Sequence, residues 1–275
     1  MGSLAHDTEV HPSDGVYRAT LSEDWRIWGP MGGYAASLAL RAAAAEVEPG
    51  LRPASLSCQF FRPAEFGPVE LAVETRRAGR RTAALQVRML QQGADILDCQ
   101  VWFAVEDEHI VHDHAGGHAH GDPDDHADMS ELSDTPAPFP FWDNFESRPV
   151  DPVLDWESYP GGEPVWNQWL RFDPDPAFTD PVLEACRLLV LADLPSFPAA
   201  SRAHPGGSAM TWIAPNLDLA VQFHRLDGLG EWLLCSGSAP IAQRGLAGFR
   251  SEVWTRSGAL AASGSGQLLI RPVKA

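Results

Sequence analysis

The sequence predicts an α+β fold of two long antiparallel sheets, each wrapped around a central helix. Three observations predict it. Each half of the 275-residue chain runs one apolar helix followed by several long strand-like segments. The second of these helices is apolar nearly all round, which requires burial on most sides. The segment Gln59-Phe60-Phe61-Arg62 with Gly67 recurs in the second half as Gln222-Phe223-His224-Arg225 with Gly230, pointing to duplication of one unit.

The elements follow in order. Gly32-Gly33 opens a helix through Tyr34–Val47, rich in Ala and Leu, and Pro49-Gly50 stops it. Strands are expected at Ser55–Phe61, Val69–Arg76, Thr82–Gln91 and Ile96–Val105, with turns at Pro63–Gly67, Ala78-Gly79 and Gln92-Gly93. In the second half a strand at Val165–Phe172 precedes a helix with a well-marked start. Asp180 is its N-cap, Pro181 its first residue, and Glu184 lies in its first turn. Strands at Asp218–His224, Glu231–Gly237, Gly248–Thr255 and Leu260–Arg271 complete the unit, and the Arg81 turn recurs at Arg244-Gly245. A long sheet around a buried helix is the hot-dog arrangement. Two copies make a tandem (double) hot dog, with units over residues 1–108 and 151–275; periodicity alone also allows another helix-on-sheet fold.

Residues 109–150 connect them. The net charge is −17, from 20 Lys+Arg against 37 Asp+Glu. Ten of the acidic residues and no basic ones fall in residues 106–134, together with His109, His112, His114, His118, His120 and His126. Such a composition reads as a solvated, flexible spacer. The same His and Asp spacing also suits Ni²⁺ or Zn²⁺, and the spacer reading is preferred. The following aromatic run, Phe139 to Phe145 with Trp156, is expected to dock across the two units.

Charge and hydropathy exclude several function classes. A net negative chain is not a nucleic-acid binder, nor does it dock on an anionic membrane. The longest apolar stretch, Tyr34–Val47, is broken by Ser37, Arg41 and Glu46, so no bilayer span is expected. Cys58, Cys99, Cys186 and Cys235 lie far apart and read as reduced core thiols, without a zinc site. With no apolar signal region in residues 1–24, a cytoplasmic location is expected. All basic residues but Lys274 are Arg, and arginines at a pocket mouth can serve an anionic ligand.

The motif Gly29-Pro30-Met31-Gly32-Gly33-Tyr34 and the following Phe60-Phe61-Arg62-Pro63 resemble the N-terminal half of acyl-CoA thioesterase II-like proteins. Leu191-Ala192-Asp193-Leu194, Gln222-Phe223-His224-Arg225, Glu231-Trp232-Leu233-Leu234 and Gln267-Leu268-Leu269-Ile270-Arg271 resemble the C-terminal half of the same family. The resemblance covers about residues 20–105 and 160–272. It implies double hot-dog subunits assembled as homodimers or higher homo-oligomers. These would hydrolyse acyl-CoA thioesters to free acid and CoA, with no metal and no cofactor.

Family members attribute the chemistry to an Asp, a Ser/Thr and a Gln. The Asp falls on Asp193, where desolvation and a helix C-terminus both raise a carboxyl pKa, as a general base requires. A capping role for its carboxylate is the alternative. The Ser/Thr falls on Asn216, which can orient water or donate to an oxyanion. The Gln falls on Gly266, one residue from Gln267, and a bulge near Gly264–Gly266 would bring Gln267 into the site. Gly32 and Gly33 either present amides to a carbonyl oxygen or permit close helix packing. His224, on a strand, reads as a packed histidine more readily than as a base. Two other functions remain. One is a hot-dog hydratase or dehydratase using His224 with Asp218 or Asp227; the other is an acyl-CoA-binding protein without turnover. No nucleophile elbow and no phosphate-loop fingerprint is present.

Overall fold

The computed structural model describes residues 1–107, 109–135, 137–206 and 211–273; Lys274 lies outside them. A short helix α1 (Leu4–Asp7) and the strands β1 (His11–Ser13) and β2 (Val16–Leu21) precede helix α2 (Gly32–Ala44). Strands β3 (Arg52–Phe60), β4 (Gly67–Ala78), β5 (Thr82–Gln91) and β6 (Ala94–Ala104) follow. The connecting segment carries α3 (Met129–Leu132), and the pattern then returns with β7 (Phe145–Pro149), β8 (Val165–Phe172) and helix α4 (Pro181–Asp193). A short helix α5 (Ser196–Arg202) and β9 (Trp212–Ile213) lead to β10 (Asn216–Phe223), β11 (Trp232–Gln243), β12 (Leu246–Thr255), β13 (Leu260–Leu269) and β14 (Arg271–Pro272).

All main strands join one antiparallel sheet in the order β1-β2-β4-β5-β6-β3-β10-β13-β12-β11-β8-β7. That order reads alike from either edge, so the duplicated units are related by a pseudo-dyad between β3 and β10. Their pairing sets Cys58 opposite Leu219 and Leu56 opposite Val221, all four buried. The alternation anticipated for β3–β6, β8 and β10–β13 follows from one face of each strand lining the core. The edge strands β1 and β7, the strand β2 and the helix α5 are additions the sequence pattern did not reveal. They are short or polar, so they carry little periodicity.

The two central helices lie side by side and antiparallel in the hollow of the sheet. The N-terminus of α2 meets the C-terminus of α4, and Ser37 meets Cys186. Small side chains make this possible: the Ser37 hydroxyl donates to Gly33 O at 2.8 Å and lies 3.4 Å from Cys186 O. One charged pair lies within α4, ahead of the Asp193 that ends it. Arg187 is fully buried, with Glu184 3.1 Å away. It also donates to Gly230 O at 2.7 Å and to Pro176 O, while Glu184 accepts the Phe178 N–H at 2.6 Å. The pair ties two loops to the helix.

The acidic connecting segment is not a free spacer. It lies as a strap over the outer face of β8, β11 and β12, where Trp169, Leu234 and Trp254 form a second apolar cluster. The His118 ring meets Trp169 at 5.1 Å and Trp254 at 6.2 Å between centroids. Asp122 and Asp124 pair with Arg256, Asp124 with Arg148, and Asp113 with Arg225. The negative charge that made the segment look disordered is what these arginines hold. Among the described residues, no group of three His, Cys, Asp or Glu side chains could hold a metal ion. Beyond the strap, Phe141 packs on Trp25 of the first unit while β7 pairs with β8 of the second.

Candidate active site

Asp193 is the last residue of α4, and the antiparallel packing carries it to the first turn of α2. Its Oδ2 accepts the Gly33 N–H at 2.7 Å, and its Oδ1 accepts the Asn216 side-chain amide. Helix α2 has no side-chain cap of its own. Asp193 therefore caps, from the second unit, a helix of the first. Only 5% of the residue is exposed. Burial pushes its carboxyl up to about 6, against the Gly33 and Asn216 hydrogen bonds, which favour the ionised form. The thiols of Cys58 and Cys235 are pushed up by burial, Cys58 next by its neighbour Cys99, and both also by the charge of Asp193.

Glycine at 33 is required by close approach. A Cβ there would stand 2.7 Å from Leu189 O and 3.0 Å from both Val190 Cα and Asp193 Cβ. Gly33→Ala is expected to force the helices apart and cost about 1–3 kcal/mol, read as a lowered denaturation midpoint. The Gly33 amide is spent on Asp193. Gly32 is different: its N–H has no acceptor among the described residues, and its α-carbon faces Asp193 Oδ2 and the Phe60 ring.

A bulge does occur, but on β10 rather than β13. The register shifts between Asn216 and Asp218, which sets Asn216 opposite Leu268 and turns its amide toward Asp193. Strand β13 runs against β12 without interruption from Leu269 to Ala262. Gln267 consequently faces outward and is exposed, between the inward Gly266 and the buried Leu268. The structure does not bring Gln267 to the cluster. The inward position belongs to Gly266, and the ring of Phe249, opposite it in β12, fills the space a side chain there would take. Sequence reasoning missed Phe249, because only the β12–β13 register reveals what it packs against.

His224 lies beyond the other end of β10, roughly 25 Å along the strand from Asn216 at ~3.3 Å per residue. Its Nε2 is 2.9 Å from the Ser263 hydroxyl, and burial lowers its pKa while Asp113 raises it. The carboxylates suggested as its partners are engaged elsewhere. Asp218 accepts the Gln267 N–H at 2.7 Å, and Asp227 is held by Arg52 at 2.6 and 2.8 Å. No hydratase-like His–Asp pair is formed there.

The assembled cluster is thus a buried carboxylate with a pKa raised to about 6, two groups that orient it, and a helix-terminal amide beside it. Such a set suits proton transfer next to a carbonyl oxygen.

Comparisons with known proteins identify the family and the fold. The acyl-CoA thioesterase N-terminal domain matches residues 21–104, and the acyl-CoA thioesterase C-terminal domain matches residues 123–270. No curated protein sequence matches. Among solved structures, acyl-CoA thioesterase II TesB2 from Mycobacterium marinum is similar at 24% identity, TM-score 0.78, over 99% of each chain. A conserved hot-dog protein of unknown function from Alicyclobacillus acidocaldarius matches at 20% identity, TM-score 0.82, over 100% of each chain. The tesB protein of Mycobacterium avium subs paratuberculosis matches at 20% identity, TM-score 0.74, over 98% of each. These likenesses establish the α+β tandem hot-dog fold. Among the described residues no helix is long and apolar enough to cross a membrane. With both of its domain models matched in order, the chain belongs to the acyl-CoA thioesterase family and is a thioester hydrolase.

Proposed function

We propose that the chain hydrolyses acyl-CoA thioesters with water activated by Asp193. The observation that carries this is the buried carboxylate, raised to about 6 and fixed on both oxygens by Gly33 and Asn216. Ionised Asp193 takes a proton from a water molecule as the water oxygen attacks the thioester carbonyl carbon. The Gly32 N–H at the start of α2 receives the developing oxyanion. The tetrahedral intermediate collapses with cleavage of the C–S bond, and the proton passes from Asp193 to the departing CoA sulfur. The products are a carboxylic acid and CoA. Asn216 acts as a positioning residue, holding the carboxylate in one orientation.

The test is release of free thiol from a chain-length series of acyl-CoAs by the purified protein. No release at any chain length would overturn the reading. The pH dependence has a distinctive sign. Activity should rise as pH passes through about 6, because the base must be ionised. Stability contributed by this group should move oppositely. With its folded pKa above the unfolded 3.8, the native state binds the extra proton, so stability falls as pH climbs from about 4 to about 6. Parallel rate and denaturation profiles check both limbs.

A further inference from the structure

We propose that the Phe60 ring selects the acyl group, admitting chains whose carbon next to the carbonyl is unbranched. The proposal rests on the hydrolase reading above and names the substrate class of the same site. Phe60 is the last residue of β3, on the inward face it shares with the buried Leu56 and Cys58. Its ring reaches the start of α2. A Cβ built on Gly32 would stand 3.3 Å from the ring Cζ, 3.6 Å from Cε1 and 2.9 Å from Asp193 Oδ2. The space that glycine leaves is therefore bordered by both a carboxylate and a phenyl ring. It is too narrow for a methyl group, whose carbon needs contacts of about 3.5–4.0 Å.

The backbone does not demand this glycine. Glycines at positive φ lie in turns such as those of Gly67 and Gly93, and Gly32 is not one of them. Duplication does not demand it either. The first residue of α4, which takes the place of Gly32 under the pseudo-dyad, is Pro181. The ring, by contrast, occurs in both units, since Phe223 is the repeat of Phe60. What sets the first unit apart is the gap, and the gap opens at the carboxylate. Beneath Asp193 the room is already filled. Ala192 lies over Gly264, 3.4 Å from a Cβ built there, and Asn216 stands opposite Leu268. Gly266 falls between these two positions on β13, and the Phe249 ring comes within 2.7 Å of a Cβ built on it. An acyl group finds no space on that side.

With its carbonyl oxygen at the Gly32 N–H, the substrate places its first acyl carbon beside the Gly32 α-carbon and against Phe60. Later carbons of a straight chain extend past the ring. A branch on the first carbon meets the ring, whereas added length does not. A closely fitted apolar wall discriminates one methylene by roughly 10–200-fold.

The experiment measures kcat/KM for two isomers, pentanoyl-CoA and 2-methylbutanoyl-CoA, by thiol release. The wild-type protein should prefer the straight isomer by about tenfold or more. Phe60→Leu removes the Cζ and Cε1 carbons from the gap, and should raise the branched-to-straight ratio by about tenfold. Phe60→Met, close in volume but without a ring, should raise it in the same direction, and decides the matter if the Leu variant fails to fold. Phe61→Leu, at the neighbouring position that is 57% exposed, should keep the wild-type ratio. Equal rates for the two isomers in the wild type, or an unmoved ratio in the folded Phe60 variants, overturns the proposal. If the wild-type protein releases thiol from no acyl-CoA, the Asp193 reading fails. Calorimetric binding of the two intact thioesters then decides the role of Phe60. A preference for the straight isomer that Phe60→Leu abolishes upholds it, and equal binding overturns it.

Discussion

Asp193→Asn should lower kcat for acyl-CoA hydrolysis by about 10²–10⁴-fold while leaving the protein folded. The substituted amide has the same shape. Its oxygen can still accept the Gly33 N–H, and a flipped Asn216 can present its own oxygen to the new amide nitrogen. What disappears is the capacity to take a proton from water. The variant should also be at least as stable as wild type above pH 6, because the buried, raised carboxyl is ionised at a cost to the native state. Asp193→Ala makes the useful contrast: it removes both the base and the cap of α2, adding a stability loss of about 1 kcal/mol. Thiol-release rates and denaturant midpoints at pH 8 separate the two roles. Retention of kcat within a few-fold in the Asn variant would show that Asp193 only caps.

Arg187→Met should be the most destabilising single substitution outside the site, at about 3–5 kcal/mol. The guanidinium is fully buried against Glu184, itself 2% exposed, and its removal leaves that carboxylate unpaired in the core. Burial already raises the Glu184 pKa, with Arg187 the principal opposing influence. The loops anchored through Pro176 and Gly230 lose their donors as well. A fall in Tm of roughly 10 °C is expected. Adding Glu184→Gln to Arg187→Met should recover part of the loss, since the double variant buries no unpaired charge. Equal losses for single and double variants would assign the effect to the loop anchors instead.

The central helices and nine strands, β3–β6, β8 and β10–β13, were legible because burial imposes a period on the residues that form them. The helix bearing Asp193 was marked at its start by Asp180 and Pro181, and its carboxylate stood out as polar in an apolar run. The contact between Asp193 and Gly33 was not legible, since it depends on how two distant helices pack. Gln267 shows the same limit in a strand. Its face is set by the register of β12 against β13, and the bulge that mattered lay one strand away, at Leu217. The strap was misread for a different reason. Its composition resembles a disordered tail, and the arginines and tryptophans that hold it come from remote strands.

The pseudo-dyad has a consequence for stoichiometry. Helices α2 and α4 have equal lengths of 13 residues and swap places under it, so the partner of Asp193 is the last residue of α2, Ala44. The amide it would face, that of Val182, is already bonded to Asp180 at 2.8 Å within its own helix. Duplication thus yielded two helix scaffolds with one buried carboxylate at their junction, the equivalent position being apolar and the facing helix capped by its own Asp180. At the proposed centre one copy contributes the amide, Gly33, and the other the acid, Asp193.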